Sequence, residues 1–546
     1  MVCAWLRRAG GGRPEAVAVL LPVLVMTAVG LWGLDRGGMW RDEAVTFQVA
    51  QRSLPQIWHL LHTVDAVHGL YYLLMHPVLA ARPGEFALRL PSVCGAAAAA
   101  GGVAALGVRL CRPRVGLWAG LLYAVTPMAG HYAQEGRSYA LVAAGAVGAT
   151  LLLVRAARTR RAGGWWAAYG GTVAVTCLLH ELAALVLLAH AGTLALARMP
   201  ARVWARWACA AGAAIVALVP LVLVSRGQSA QVAWLMPPGP GSVGRLLGAF
   251  TGPALPVAVP YLLLVALAVR PSRLRYGGLS LPAVALPLTV VPPAVLMTVS
   301  RAWPLYDERY VLYALAGAPL LAAAGAERAA TLIAGAGVGA GVGVRARAKG
   351  RVDAGLRSSS PVRGARLLAE VRRRARPRPA GATAVTLTGV LTVALAFAVQ
   401  LPLMRRDRMP EHHGADNLAA VSAAAGRALR PGDPVLYLPS IVRRSALAYP
   451  RGFRGVHDVA LRVPGPVSGT LYGQEAGPEE LRRRLDRLDR VWMVAEPFAL
   501  SPSWYPDSAT ERVKLAVVDE EFAPREQVVR EGVTLRLYVR GTSPAG

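Results

Sequence analysis

From residue 15 to residue 402 the chain alternates long apolar runs with short polar connectors. Ala, Val, Leu and Gly dominate the runs, and many reach the roughly 20 residues that a helix needs to cross a bilayer. The pattern predicts spans near 15–34, 87–108, 115–131, 139–155, 165–180, 182–198, 207–225, 250–269, 279–300, 310–326 and 382–402. Beyond residue 405 the pattern changes. Residues 416–429 read as an amphipathic helix, 434–438 and 491–494 as short buried strands, 479–488 as a charged helix, and 534–539 as a last alternating strand. The expected fold class is mostly α: a polytopic membrane protein of about 11 transmembrane helices with a small C-terminal α/β domain. The expected division is 1–404 for the membrane part and 405–546 for the tail.

Charge fixes the expected sidedness. The net charge of +29 is carried almost wholly by arginine, since Lys349 and Lys514 are the only lysines. Arginines cluster in the connectors: Arg7, Arg8 and Arg13, then Arg109, Arg112 and Arg114, then within 155–161, 198–206, 270–275 and 345–378. All fall on one side of the predicted spans, which the positive-inside rule makes the cytoplasm. The N-terminus is then cytoplasmic and the C-terminal domain extracytoplasmic. The Gly/Ala run 329–344 is read as part of a basic cytoplasmic loop, 327–381; a further span there would turn the tail inward. The first apolar run is read as a retained span, because no small-x-small cleavage site precedes the charged loop. Short arginine clusters between apolar runs are not a nucleic-acid surface. Cys3, Cys94, Cys111, Cys177 and Cys209 show no metal-ligand spacing, so neither a metal nor another cofactor is expected.

The opposite face carries different chemistry. Asp42 and Glu43 follow the first span, and 48–62 reads as one interfacial amphipathic helix over them. An acidic pair there either solvates a helix end or works as a base; a carboxylate under such a lid is partly desolvated and more basic, which favours the base. Asp65 and His68, three apart, form one side of a polar turn. Tyr71 and Tyr72 belong either to that pocket or to an aromatic belt. A hairpin carries Glu135, Arg137 and Tyr139; the outward Arg137 calls for a phosphate, for Glu135 or for a lipid headgroup. Glu308, Arg309 and Tyr310 repeat the theme at the start of a later span, while His180 and Glu181 read as structural. Five outer segments bringing acid, His, Tyr and Arg to one face point to an active site.

Asp42-Glu43, the Asp65-x-x-His68-x-x-Tyr71-Tyr72 run, Gln134-Glu135-x-Arg137-x-Tyr139 and Glu308-Arg309-Tyr310 together resemble GT-C fold glycosyltransferases. The resemblance is to the family 39-like group of bacterial protein mannosyltransferases and lipid A aminoarabinose transferases, and covers about residues 15–402. It implies a polyprenyl-phosphate sugar donor, transfer with inversion outside the membrane, and a protein, lipid or polysaccharide acceptor. It also implies Asp42 as base and Glu43 as its helper. Asp65, His68, Tyr71, Tyr72, Glu135, Tyr139, Glu308 and Tyr310 are then substrate-side groups, with Arg137 and Arg309 near the lipid phosphate and no obligatory metal. The family often has His-Pro-Pro-Leu-Tyr where this chain has His68-Gly69-Leu70-Tyr71-Tyr72. The rival reading is a polytopic lipid or solute transporter, which expects charges near the bilayer midplane and internal repeats. Neither is seen here.

Overall fold

The computed structural model describes residues 12–270, 278–349, 379–409, 417–530 and 532–541. Among them, seven helices are long and apolar enough to cross a bilayer, or eight if the pair Pro240–Thr251 and Leu255–Val269, bent by 89°, forms one span. The chain is a multi-pass membrane protein. Three expected spans are shorter or broken: 115–131 is split at Pro127 into Pro113–Val125 and Pro127–Tyr132, and Gly163–Leu179 and Glu181–Leu196 are short apolar helices. Proline explains the split, since Pro127 lacks the N–H that would continue the helix before it.

The bundle is built on close approach. Arg13–Leu31, Glu85–Leu110 and Pro113–Val125 pack on one another around Met26, Val103, Leu106 and Val115. A Cβ on Gly116 would lie 2.4 Å from the Ala104 carbonyl oxygen, so a side chain there would force these two helices apart.

Two expectations are corrected. Residues 329–344 are not loop: the helix Gly317–Lys349 runs through them, with no proline in that run to break it despite its glycines. The remainder of the expected loop up to residue 378 lies outside the described residues. Residues 48–62 are not one helix either. Helix Arg41–Ala50 ends before Ser53, whose capping box with Gln56 starts a second helix, Leu54–Leu61. A third, Gly69–Ala81, follows the turn at Asp65. Val45 and Val49 from the first, Ile57 and Leu60 from the second and Tyr72 from the third share one small core. Trp58 and Leu54 stay exposed on the far side.

The tail is the expected α/β domain. Strands β1 (Pro434–Leu438), β2 (His457–Asp458), β5 (Arg490–Ala495), β6 (Phe522–Arg530) and β7 (Val533–Arg540) form one sheet in the order β2-β1-β5-β7-β6. Strands β1, β2 and β5 run parallel, and β6-β7 is an antiparallel hairpin. Short strands β3 (Leu461–Val463) and β4 (Gln474–Glu475) pair separately. Leu436, Val491 and Met493 face helices Pro478–Leu485 and Ala509–Glu521; Val435, Trp492 and Val494 face helix Leu418–Ala428. Burial on both faces explains the unbroken apolar runs of β1 and β5.

Candidate active site

Asp42 and Glu43 occupy the first turn of helix Arg41–Ala50, where the exposed backbone N–H groups favour carboxylates. Successive helical positions diverge by about 100°, and these two side chains enter different worlds. Glu43 is 1% exposed. Its two oxygens accept from Arg89 Nε at 2.8 Å and Nη2 at 2.7 Å, and Oε1 also accepts from the Gly136 N–H. Arg89 spends its other donors on the carbonyls of Leu34, Arg36 and Gly38. This closed pair ties the loop after the first span to the hairpin at 134–138, an anchoring contact made by the residue expected to help the base.

Asp42 remains partly open. Its Oδ2 lies 3.1 Å from Arg309 Nη1. Arg309 is held in an aromatic box, with Trp40, Tyr139, Trp234 and Tyr310 all within 5.5–5.9 Å of its guanidinium carbon. Its Nε faces Asp307 at 3.5 Å. Such a box orients the planar cation and strengthens its electrostatics by excluding water. His180 closes the box behind Tyr310, with ring centroids 4.9 Å apart.

A second polar layer lies beside Asp42. Asp65, in a left-handed backbone conformation, accepts from Tyr72 and pairs with His68 Nδ1 at 2.7 Å. Burial raises the Asp65 carboxyl, but its bonds to His68 and Tyr72 and the nearby Arg137 outweigh that and hold it below the usual range. Arg137 reaches His68 Nε2 at 2.9 Å, Thr46 at 3.3 Å and the Asp42 carbonyl at 3.4 Å. It is 5% exposed. Expected near a lipid phosphate, Arg137 instead braces the Asp42 helix from inside.

The other expected residues divide in the same way. Glu135 is buried, one oxygen has no partner, and burial pushes its carboxyl up to about 8. Tyr139 and Tyr310 join the arginine box. Tyr71 and Tyr72 are fully buried; Tyr71 packs in the main core and Tyr72 donates to Asp65. Glu308 turns away to pair with Arg245 at 2.9 Å. Glu181 accepts from Ser225, the structural role expected of it.

Several participants escaped sequence reasoning. Arg89 had a usable signal, because an arginine buried in an apolar helix needs a carboxylate. Trp234 gave none. The C-terminal domain also reaches the site. Arg52 donates to the carbonyls of Gly465 and Leu471, Thr63 donates to Gly469, and Leu471 packs on the Val45–Tyr72 core. These clamps seat Tyr472 close enough to Arg444, Asp42, Asp65 and Arg41 to feel their charges, and burial pushes its hydroxyl up to about 12. Arg41 and Arg444 share Glu496.

A groove of about 590 Å³ runs between Pro127–Tyr132, Pro240–Thr251 and the end of Pro379–Arg406, with Glu308, the chain neighbour of Arg309, in its wall. Met128, Gly248, Pro253 and Leu403 give it apolar walls; His131, Arg245, Glu308 and Asp407 line it as well.

Residues 70–225 match the family described as dolichyl-phosphate-mannose-protein mannosyltransferase. No curated protein matches the chain. Among solved structures, the chain resembles ArnT from Cupriavidus metallidurans in the apo state, with a TM-score of 0.58 at 15% identity over 95% of this chain and 97% of that one. The same protein bound to undecaprenyl phosphate gives 0.54 at 14% identity, with 95% and 97% covered. The fold is therefore the GT-C fold anticipated from the sequence motifs.

Proposed function

We propose that this chain is an inverting glycosyltransferase that takes a sugar from a polyprenyl-phosphate carrier and moves it to an extracytoplasmic hydroxyl. The observation that carries the reading is the Asp42–Arg309 contact: a partly open carboxylate paired with a boxed, orientable cation, next in the chain to Glu308 in the wall of an apolar groove. In this reading the isoprenoid chain lies in the groove and its phosphate meets Arg309. The ArnT structure with undecaprenyl phosphate supports a carrier of this class for the shared fold.

The chemistry follows from the placement. Asp42 takes the proton of an acceptor hydroxyl while that oxygen attacks the anomeric carbon. The bond from that carbon to the phosphate oxygen breaks, and polyprenyl phosphate leaves as an anion stabilised by Arg309. In the resting site Arg309 holds Asp42. An arriving phosphate competes for the same guanidinium and frees the carboxylate as donor binds. With Glu43 locked by Arg89, it offers no second carboxylate for a covalent intermediate, which favours direct displacement and inversion. The sugar is mannose-like or a pentose, and the acceptor a protein, lipid or polysaccharide. Asp42 faces the outside, as do the C-terminal domain and its Tyr472, while the arginine clusters face the cytoplasm.

The test uses the full-length protein in nanodiscs with radiolabelled polyprenyl-phosphate sugars and crude envelope acceptors. Label transfer by wild type and none by Asp42→Asn is the expected result. Equal transfer by both removes Asp42 as the base. No transfer from any donor, with label instead crossing the membrane of proteoliposomes, would replace the reading with transport.

A further inference from the structure

A smaller cavity, about 180 Å³, sits next to the groove, between the ends of helices Arg13–Leu31 and Pro379–Arg406. Trp40, His131, Glu135, Arg36 and Arg408 are among its walls. Three features give it meaning.

Its size suits one ring. An engineered cavity of about 150 Å³ holds a single benzene, so this one takes one substituted ring and no oligosaccharide. Its lining is polar with one indole. An isoprenoid tail gains no hydrogen bond from those polar groups, whereas a hydroxylated ring does. Glu135 is 95% buried, and its Oε1 and the Arg408 Nε have no hydrogen-bond partner. Its charge has no negative excess: Arg36, Arg89 and Arg408 face the carboxylates of Glu43 and Asp407 and the protonated carboxyl of Glu135. Such a cavity offers an amine no free counter-charge and suits a neutral hydroxylated guest.

Its position supplies the rest. His131 and Asp407 line both this cavity and the apolar groove, and Trp40 and Glu43 flank Asp42 in the chain. A head group carried by a chain in the groove therefore reaches this cavity, whose Glu135 feels the charges of Arg309 and Asp42.

We propose that this cavity is the subsite for the single neutral sugar ring of the donor, with Glu135 and His131 reading its hydroxyls. The inference rests on the transferase reading and adds which part of the site distinguishes a loaded carrier from a spent one. A spent carrier has no group to fill the cavity and leaves more readily.

The experiment compares equilibrium binding of three probes to the full-length protein in nanodiscs: bare polyprenyl phosphate, polyprenyl-phosphoryl mannose and polyprenyl-phosphoryl arabinose. Wild type is expected to bind one of the two loaded carriers about tenfold more tightly than the bare one, the size of a lost buried hydrogen bond. Glu135→Gln should erase most of that preference while holding bare-carrier affinity within about twofold, and His131→Phe, at a residue that also lines the groove, should weaken loaded-carrier binding more than bare-carrier binding. Equal loss for loaded and bare carriers would mean a structural role only and overturn the assignment. So would a wild type that prefers neither loaded carrier, or variants that keep the full preference. Failure to bind even the bare carrier would defeat the transferase reading and this subsite with it; loss of sugar preference alone leaves Asp42 and Arg309 untouched.

Discussion

Asp42 and Glu43 are adjacent in the chain and opposite in circumstance: Glu43 lies sealed against Arg89, while Asp42 lies partly open against Arg309. Their substitutions should separate cleanly. Asp42→Asn is expected to cut transfer by about 10²–10⁴-fold, the usual worth of a general base, with an unchanged melting temperature. Glu43→Gln strands a buried arginine and should cost about 3–5 kcal/mol of stability, seen as a lower melting temperature in detergent. If Glu43→Gln melts like wild type and loses only activity, the anchor assignment is wrong.

Arg309 is boxed by four rings, so its charge and its shape both matter. Arg309→Lys keeps the charge but not the planar fork. It should lower transfer by about tenfold and weaken bare polyprenyl phosphate binding, with Arg309→Ala worse in both by about a further tenfold. The check is a binding titration with the bare carrier alongside the transfer assay. Lys and Ala variants behaving alike would show that the charge is not what the site uses.

How much of this was legible beforehand divides along the range of the interactions involved. The apolar runs announced a membrane bundle, and the shift after residue 405 announced the α/β domain, because both depend on local pattern. The strands at 434–438 and 491–494 were readable for the same reason, while β6 at Phe522–Arg530 was not: its charged, proline-containing sequence is an edge strand held by β7. Motif order picked out the segments carrying Asp42, Asp65, Arg137 and Arg309. It did not say which way each side chain turns. Glu43 and Asp42 look equivalent in sequence, and only Arg89, 46 residues on, decides between them. Arg137 and Arg309 looked like equivalent phosphate ligands, and the His68 and Thr46 contacts of Arg137 decide that pair. Choices made by distant partners are invisible to a local reading.

Glu135 should make stability depend on pH. Burial raises its carboxyl from 4.5 to about 8. The folded state then holds a proton that the unfolded state releases, so the contribution is full below about 4.5 and is lost as pH rises through about 8. The melting temperature of wild type should fall across that window, and Glu135→Gln, which cannot ionise, should fall less. Parallel curves for the two proteins would remove Glu135 as the source.

The seam between the membrane part and the C-terminal domain rests on Arg52, and its removal tests what that domain contributes. Arg52 is 5% exposed, and burial pulls its guanidinium down to about 10. It stays in place because its donors meet the carbonyls of Gly465 and Leu471. Arg52→Met fills similar space but leaves the Leu471 carbonyl without its donor, at about 1–3 kcal/mol for a buried unpaired group, while Gly465 keeps the Thr470 N–H and the Ser468 hydroxyl. The segment 464–473 should loosen and Tyr472 lose its place beside Asp42 and Asp65. Because the groove and Arg309 lie on other elements, bare polyprenyl phosphate should bind as in wild type. The acceptor KM should rise several-fold, about as far as for Tyr472→Phe, which removes only the hydroxyl. Limited proteolysis adds a readout independent of activity, with faster cleavage within 464–473 in Arg52→Met and not in Tyr472→Phe. Faster cleavage with an unchanged acceptor KM would show that the domain caps the membrane part without shaping its acceptor site. A KM that rises in both variants, with cleavage confined to one, would assign the acceptor side to Tyr472 and its support to Arg52.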